Sequence, residues 1–142
     1  MDALQHFASR QVRQAFAWGI DDCMTLPADW VAEVAGFDPM LDLRGRYDSF
    51  ASCQRVTGFL TAPLAVIGPR MDRLPVIGVA DVSRGDVALV MSAAVGGMHA
   101  HGAICLGNGQ WMARGPAGLT VLQPAKVLTA WRLGLPQGVS DQ

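Results

Sequence analysis

The spacing of apolar residues changes near Gly85, and this change limits the folds open to the chain. Before that point apolar side chains recur at helical spacing, most clearly at Leu26, Trp30, Val31, Val34 and Ala35. After it, short apolar runs are separated by Gly, Asn and Pro, which is typical of a small antiparallel sheet or half-barrel. A helical half followed by a strand-rich half predicts an α+β fold, with N-terminal helices packed on a small C-terminal sheet.

Four helices and five strands are predicted. The helices are expected over 4–16, from about 23 or 25 to 35, over 48–59 and over 63–67, and the strands over 87–91, 100–106, 111–114, 119–122 and 129–133. Gly107-Asn108-Gly109 predicts a tight hairpin. Pro27 leaves the start of the second helix open, because its ring would clash with the carbonyl of Cys23 in a regular helix. Either the first turn is distorted, or Thr25 caps a helix that begins after Cys23.

Composition limits the classes of function. The 142 residues predict one domain over 1–136 and a flexible tail over 137–142. Half of the residues are hydrophobic and 16% are charged, which argues against disorder. A net charge of −1 with scattered basic residues gives no support for a nucleic-acid partner. We recognise no secretory signal peptide. The uncharged stretch 87–113 contains five glycines and two histidines, so buried strands are expected there rather than a membrane span.

Cys23 is the first candidate for chemistry. It follows the Gly19 turn and lies at or near the start of a predicted helix. Unpaired N–H groups and the helix dipole at such a position favour a thiolate, which is the nucleophilic form of cysteine. The alternative is that Cys23 is a small buried apolar residue, as most free cysteines are.

The remaining cysteines and histidines do not suggest a metal site or a disulfide. Cys53 and Cys105 lie far from Cys23 in sequence and are interpreted as core residues. His99 and His101 would share one face of a strand and could bind a metal, but no third ligand follows at a recognisable spacing. We therefore expect neither a metal nor another cofactor.

Three segments carry a resemblance to a known family. They are AFAWGIDDCMTLPADWV at 15–31, RGDVALV at 84–90 and HGAICLGNGQWM at 101–112. In this order they resemble the nucleophile segment, the Gly-Asp strand and the His strand of NlpC-type cell-wall cysteine peptidases, over about residues 14 to 115. The segments RGRYDS at 44–49 and AWRL at 130–133 most resemble a compact branch found in bacteriophages and prophages.

The resemblance implies a papain-like fold and a cysteine amidohydrolase that cleaves the peptide stems of peptidoglycan without a cofactor. Cys23 would be the nucleophile and His101 the general base, with His99 as the rival base. The expected partners are the stem peptide and phage tail-tip or hub proteins. The expected location is the cytoplasm of the producing cell and then the virion tail.

Two positions depart from the family pattern. Phe16 stands where the family usually has a Tyr whose hydroxyl stabilises the oxyanion, and Ala113 stands where a third polar residue would orient the histidine. Gln110 is polar and nearby, but its spacing puts it on the other face of the strand. These departures support a second hypothesis, a papain-like structural plug or adaptor of the tail. A cysteine acyltransferase or thioesterase is a third.

Other residues near Cys23 have two possible roles each. Asp22 either caps the helix or tunes the thiol, and Tyr47 either lines a substrate groove or packs a turn. Trp18 is either a core anchor or a wall of the cleft. The other tryptophans are expected in the core: Trp30, Trp111 and Trp131.

Overall fold

The structure is a computed structural model that describes residues 1–93 and 97–136. The predicted flexible tail, 137–142, lies outside these residues. The part described combines four helices with one antiparallel sheet, so the predicted α+β class is confirmed. No helix in residues 1–93 and 97–136 is long and apolar enough to cross a membrane.

The four helices are near the predicted segments, with shorter bounds. They are α1 (Ala3–Gln11), α2 (Thr25–Ala35), α3 (Phe50–Thr57) and α4 (Pro63–Ile67). The prediction for the first helix was five residues too long, because only Leu4 and Phe7 of α1 are buried and Val12 is largely exposed. The third helix is shorter than predicted at both ends, because both of its caps lie within the predicted range. Ser49 forms a capping box before Phe50, and Gly58 ends the helix in the left-handed conformation.

The sheet contains six strands. They are β1 (Val76–Ile77), β2 (Val87–Ser92), β3 (His99–Gly107), β4 (Gln110–Gly115), β5 (Gly118–Leu122) and β6 (Lys126–Trp131). Their spatial order is β1-β6-β2-β3-β4-β5, and every neighbouring pair is antiparallel. The two-residue strand β1 was not predicted, since so short a run has no readable alternation. The predicted hairpin joins β3 to β4, with Asn108 at φ 54°.

The two faces of the sheet carry separate apolar clusters. In β3, Ala100 and Ile104 point towards the helices, whereas Ala103 and Cys105 point to the opposite face. The helix-side cluster includes residues of α1, α2, β2, β3, β4 and β6, among them the fully buried Trp30. It also contains Cys23, which precedes α2. The opposite cluster consists of Ala88, Val90, Ala103, Cys105, Trp111, Ala113 and Ala130.

Helix α2 lies directly on the middle of the sheet. The Nε1–H of Trp30 donates to the carbonyl of Gly85 at 2.9 Å, and its ring packs on Phe7 with centroids 5.2 Å apart. At the N-terminal end of α2, a Cβ placed on Gly102 would lie 2.5 Å from Cγ of Pro27 and 3.0 Å from the carbonyl oxygen of Cys23. Glycine at position 102 therefore permits the close approach of α2 to β3.

We predict that Gly102→Ala destabilises the protein by about 1–3 kcal/mol, the usual cost of overpacking a core. The new methyl group must displace Pro27 or the backbone of Cys23. Gly78→Ala is the matched control, because a Cβ there meets its nearest neighbour, Asp81, at an ordinary 3.4 Å. Guanidinium unfolding measures both free energies. Equal stability of the two variants would contradict the proposed close contact.

Candidate active site

Cys23 lies just before α2, whose first residue is Thr25. The helix thus begins after Cys23, as in the second of the two options left open by the sequence, but Thr25 is its first residue and not its cap. Pro27 has no N–H to donate to the Cys23 carbonyl, and that carbonyl faces Gly102 of β3. The cysteine is buried, with 7% of its surface exposed.

The side chain of Asp22 organises the turn around Cys23. Its Oδ1 accepts hydrogen bonds from the N–H groups of Met24 and Thr25, both at 2.9 Å. Its Oδ2 accepts from the N–H of Gly19 and from the hydroxyl of Tyr47, at 2.8 and 2.7 Å. The hydroxyl of Thr25 in turn accepts from the N–H of Asp22 at 2.8 Å. Asp22 thus caps α2, and Tyr47 is fixed by that cap.

Cys23 lines a small pocket. The pocket encloses about 20 Å³, room for about one water molecule. Its lining includes Trp18, Asp22, Cys23, Tyr47, Phe50, Cys53 and Ala100. Burial raises the pKa of the Cys23 thiol well above its ordinary value, and the nearby Asp22 carboxylate raises it further. The electrostatic environment thus favours the neutral thiol, contrary to the thiolate expected at a helix N-terminus.

A row of aromatic rings lies beside this pocket. Phe16 packs edge-on against Trp18 with centroids 5.0 Å apart, and Trp18 packs edge-on against Phe50 at 5.7 Å. The ring of His99 follows, 5.2 Å from that of Phe50. Trp18 lines the pocket, and Phe16 packs against Trp18.

His101 belongs to the other face of β3. It is fully buried, and strand alternation puts its side chain on the same face as Ala103, opposite to Ala100 and the Cys23 pocket. Its Nε2 is hydrogen-bonded to Oγ of Ser92 in β2. Its Nδ1 is 2.8 Å from the carbonyl oxygen of Gly102. Burial, opposed in part by the Gly102 hydrogen bond, lowers the pKa of His101.

The predicted site residues therefore fall into two groups. Trp18, Asp22, Cys23 and Tyr47 share the pocket on the helix side of the sheet. His101 lies on the opposite face, where Ala113 also lies. The histidine is hydrogen-bonded on that face to Ser92, which lies diagonally from it, since the cross-strand partner of His101 is Val90 and that of Ser92 is His99. Sequence reasoning missed Ser92 because nothing in the sequence marks an isolated serine at the end of a strand.

The Gly-Asp pair before β2 has a structural role. The carboxylate of Asp86 accepts hydrogen bonds from the N–H groups of Ser83 and Leu133, at 2.9 and 2.8 Å. It also forms an ion pair with Arg132 at 2.7 Å. Asp86 thereby ties the start of β2 to the end of β6.

Arg114 is a second residue that the sequence did not single out. Its side chain is fully buried between the sheet and α1, and its guanidinium donates to the carbonyl and the Oε1 of Gln11 at 2.9 and 2.6 Å. Asp21 lies 3.5 Å away. Burial lowers the pKa of Arg114, and this carboxylate opposes the effect. Arg114 therefore joins β4 to the end of α1 and to the Gly19 turn.

The described residues contain no group of three or more His, Cys, Asp or Glu side chains placed to bind a metal. His99 and His101, considered above as metal ligands, are not joined by a third candidate ligand among these residues.

A family model described as "Domain of unknown function (DUF6950)" covers residues 1–133. The chain belongs to this family. No curated protein matches the sequence.

The lowered pKa of His101 predicts a loss of stability in acid. The unfolded chain binds a proton at His101 near pH 6.5, whereas the folded protein does so only at lower pH. Neutral His101 therefore contributes to the free energy of unfolding above about pH 6.5, and this contribution is lost as the pH falls towards the pKa of His101 in the folded protein. Guanidinium midpoints measured from pH 8 to 5 should decline less in His101→Gln than in the wild type. His6→Gln, at an exposed site, should decline like the wild type; identical declines in all three would contradict the prediction.

Proposed function

We propose that this domain is a papain-like structural or adaptor module in which Cys23 is a core residue rather than a nucleophile. One observation carries the proposal: Cys23 packs in the cluster on the helix side of the sheet, whereas strand alternation puts His101 with Ala103 on the other side. A cysteine hydrolase needs the thiol and the imidazole within hydrogen-bond reach of each other. In this chain the imidazole is instead bonded to Ser92 and Gly102.

The surroundings of the thiol support the same proposal. Reactive cysteines have a lowered pKa and are partly exposed, whereas buried structural cysteines are inert. Cys23 is buried in a pocket with room for about one water molecule, and its pKa is raised. Phe16 and Ala113 also lack the hydroxyl and the polar group that the resemblance leads one to expect.

The resemblance to phage proteins suggests where such a module acts. We propose a plug or adaptor in a phage-like tail, contacting tail-tip or hub proteins after synthesis in the cytoplasm. The segment that carries part of this resemblance, 44–49, is fixed to the body of the domain. Arg44 forms ion pairs with Asp29 and Asp38, both at 2.7 Å, and Tyr47 is bonded to Asp22. A rigid loop of this kind suits a packing role.

The second candidate function is a cysteine amidohydrolase acting on peptidoglycan stem peptides. The observation that favours it is the shared pocket: Cys23 precedes the N-terminus of α2, and Trp18 and Tyr47 line the same cavity. This function requires the pocket to open and a histidine to approach the sulfur. The histidine that packs on the pocket lining is His99, whose ring lies against Phe50.

Alkylation of the folded protein by iodoacetamide separates the two functions. Each cysteine lies in its own tryptic peptide, Cys23 in 14–44, Cys53 in 47–55 and Cys105 in 85–114. A structural Cys23 should be labelled more slowly than the half-buried Cys53 at pH 7. In guanidinium the three should react at similar rates. Preferential labelling of Cys23 in the folded protein would overturn the structural proposal.

A digestion assay tests the enzyme candidate directly. The structural proposal predicts that the wild type releases no new amino groups from purified peptidoglycan, and that Cys23→Ala and Phe16→Tyr do not change this result. Release by the wild type that is lost in Cys23→Ala would establish the amidohydrolase. A faster release of amino groups by Phe16→Tyr than by the wild type would show in addition that a hydroxyl at position 16 reaches the oxyanion.

A further inference from the structure

The face of the sheet opposite the helices carries a cleft of about 490 Å³. Its wall on one side is the end of β2, and its wall on the other is the β4–β5 hairpin. The residues that line it include Ser92, Gly115, Gly118, Leu119, Thr120 and Gln123. The cleft falls in the size range of small-molecule sites, and none of the described side chains that line it is charged.

Ser92 connects this cleft to His101. The serine lines the cleft, and its hydroxyl is hydrogen-bonded to Nε2 of the fully buried imidazole. The carbonyl of Gly102 can only accept a hydrogen bond, so Nδ1 of His101 carries the proton at their 2.8 Å contact. In the neutral ring Nε2 then bears the lone pair, and the Ser92 hydroxyl donates to it.

We propose that Ser92 and His101 form a serine-based acyl-transfer site that hydrolyses esters of uncharged acyl groups bound in this cleft. The arrangement has three of the parts that a serine nucleophile uses: a hydroxyl, a base that accepts its proton, and a group that fixes the tautomer of that base. Here a backbone carbonyl, that of Gly102, takes the orienting role that a carboxylate has in a triad.

The reaction divides into two balanced steps. Oγ of Ser92 attacks the ester carbonyl carbon, its proton passes to Nε2 of His101, and the alkoxide leaves with that proton as an alcohol. The acyl group is then bonded to Oγ. Water attacks this acyl-serine, His101 takes a proton from the water and returns it to Oγ, and a carboxylic acid is released. The lining of glycine, alanine, leucine and threonine accommodates a neutral acyl chain.

This site is independent of the proposed role of Cys23. The two lie on opposite faces of β3, so an adaptor whose cysteine is inert can carry a serine site on the other face. The two proposals are tested separately, because labelling of Cys23 is measured in tryptic peptide 14–44 and labelling of Ser92 in peptide 85–114. Failure of one proposal therefore does not affect the other.

A fluorophosphonate ester is the probe. Oγ of Ser92 forms a bond to phosphorus, the P–F bond breaks, and the proton passes to His101 as fluoride leaves. Ser92 is the only hydroxyl residue in the tryptic peptide 85–114, so the site of labelling is unambiguous. We expect stoichiometric labelling of this peptide in the folded wild type at pH 8, and none after unfolding in guanidinium.

Variants identify the contribution of each group. Ser92→Ala should abolish the label, and His101→Gln should slow it by about 100-fold or more, the usual contribution of a general base. Ser9→Ala removes an exposed helical serine and should label like the wild type. If a variant fails to fold, the comparison of folded and unfolded wild type still tests the proposal. Absence of label from peptide 85–114 in the folded wild type, or equal labelling of folded and unfolded chains, would overturn the proposal.

Discussion

The hydrogen bonds to the buried carboxylate of Asp22 are the interactions that hold together the segments around Cys23. The carboxylate accepts four hydrogen bonds, from the N–H groups of Gly19, Met24 and Thr25 and from the hydroxyl of Tyr47. These groups belong to a tight turn, the start of α2 and the loop before α3. A buried charge is tolerated only where it is fully hydrogen-bonded. The same charge that holds these segments together disfavours ionisation of the adjacent Cys23, so the cap that builds the turn makes its cysteine less reactive.

Strand β3 separates the two halves of the candidate chemistry. Gly102 lets α2 lie against one face of the strand, which brings Cys23 onto that face. Its neighbour His101 must then point to the other face, because successive side chains of a strand alternate. On that face the hydroxyl of Ser92, in the adjacent strand β2, is hydrogen-bonded to the imidazole of His101. The linear order of cysteine and histidine thus agrees with a papain-like enzyme, whereas the direction of their side chains favours two separate environments.

The coarse fold was predictable from local pattern, and the site was not. The glycine after α3, the capping serine before it and the Gly-Asn-Gly hairpin act over a few residues, so the sequence indicates them directly. The hydrogen bond between His101 and Ser92 depends on the register of β2 and β3, and the burial of Cys23 depends on Tyr47, Phe50 and Ala100 from distant segments. Such long-range contacts leave no periodic signal. Family resemblance supplied the candidate residues but not which face each one occupies.

The central claim is that the imidazole of His101 is coupled to Ser92 and not to Cys23. An NMR pH titration of His101 in the wild type, Ser92→Ala and Cys23→Ala tests it most directly. The Ser92 hydroxyl stabilises the neutral ring by donating to Nε2, so its removal should raise the pKa of His101. Cys23→Ala should leave that pKa unchanged. A shift in Cys23→Ala as large as that in Ser92→Ala would show a thiol–imidazole pair and contradict the account.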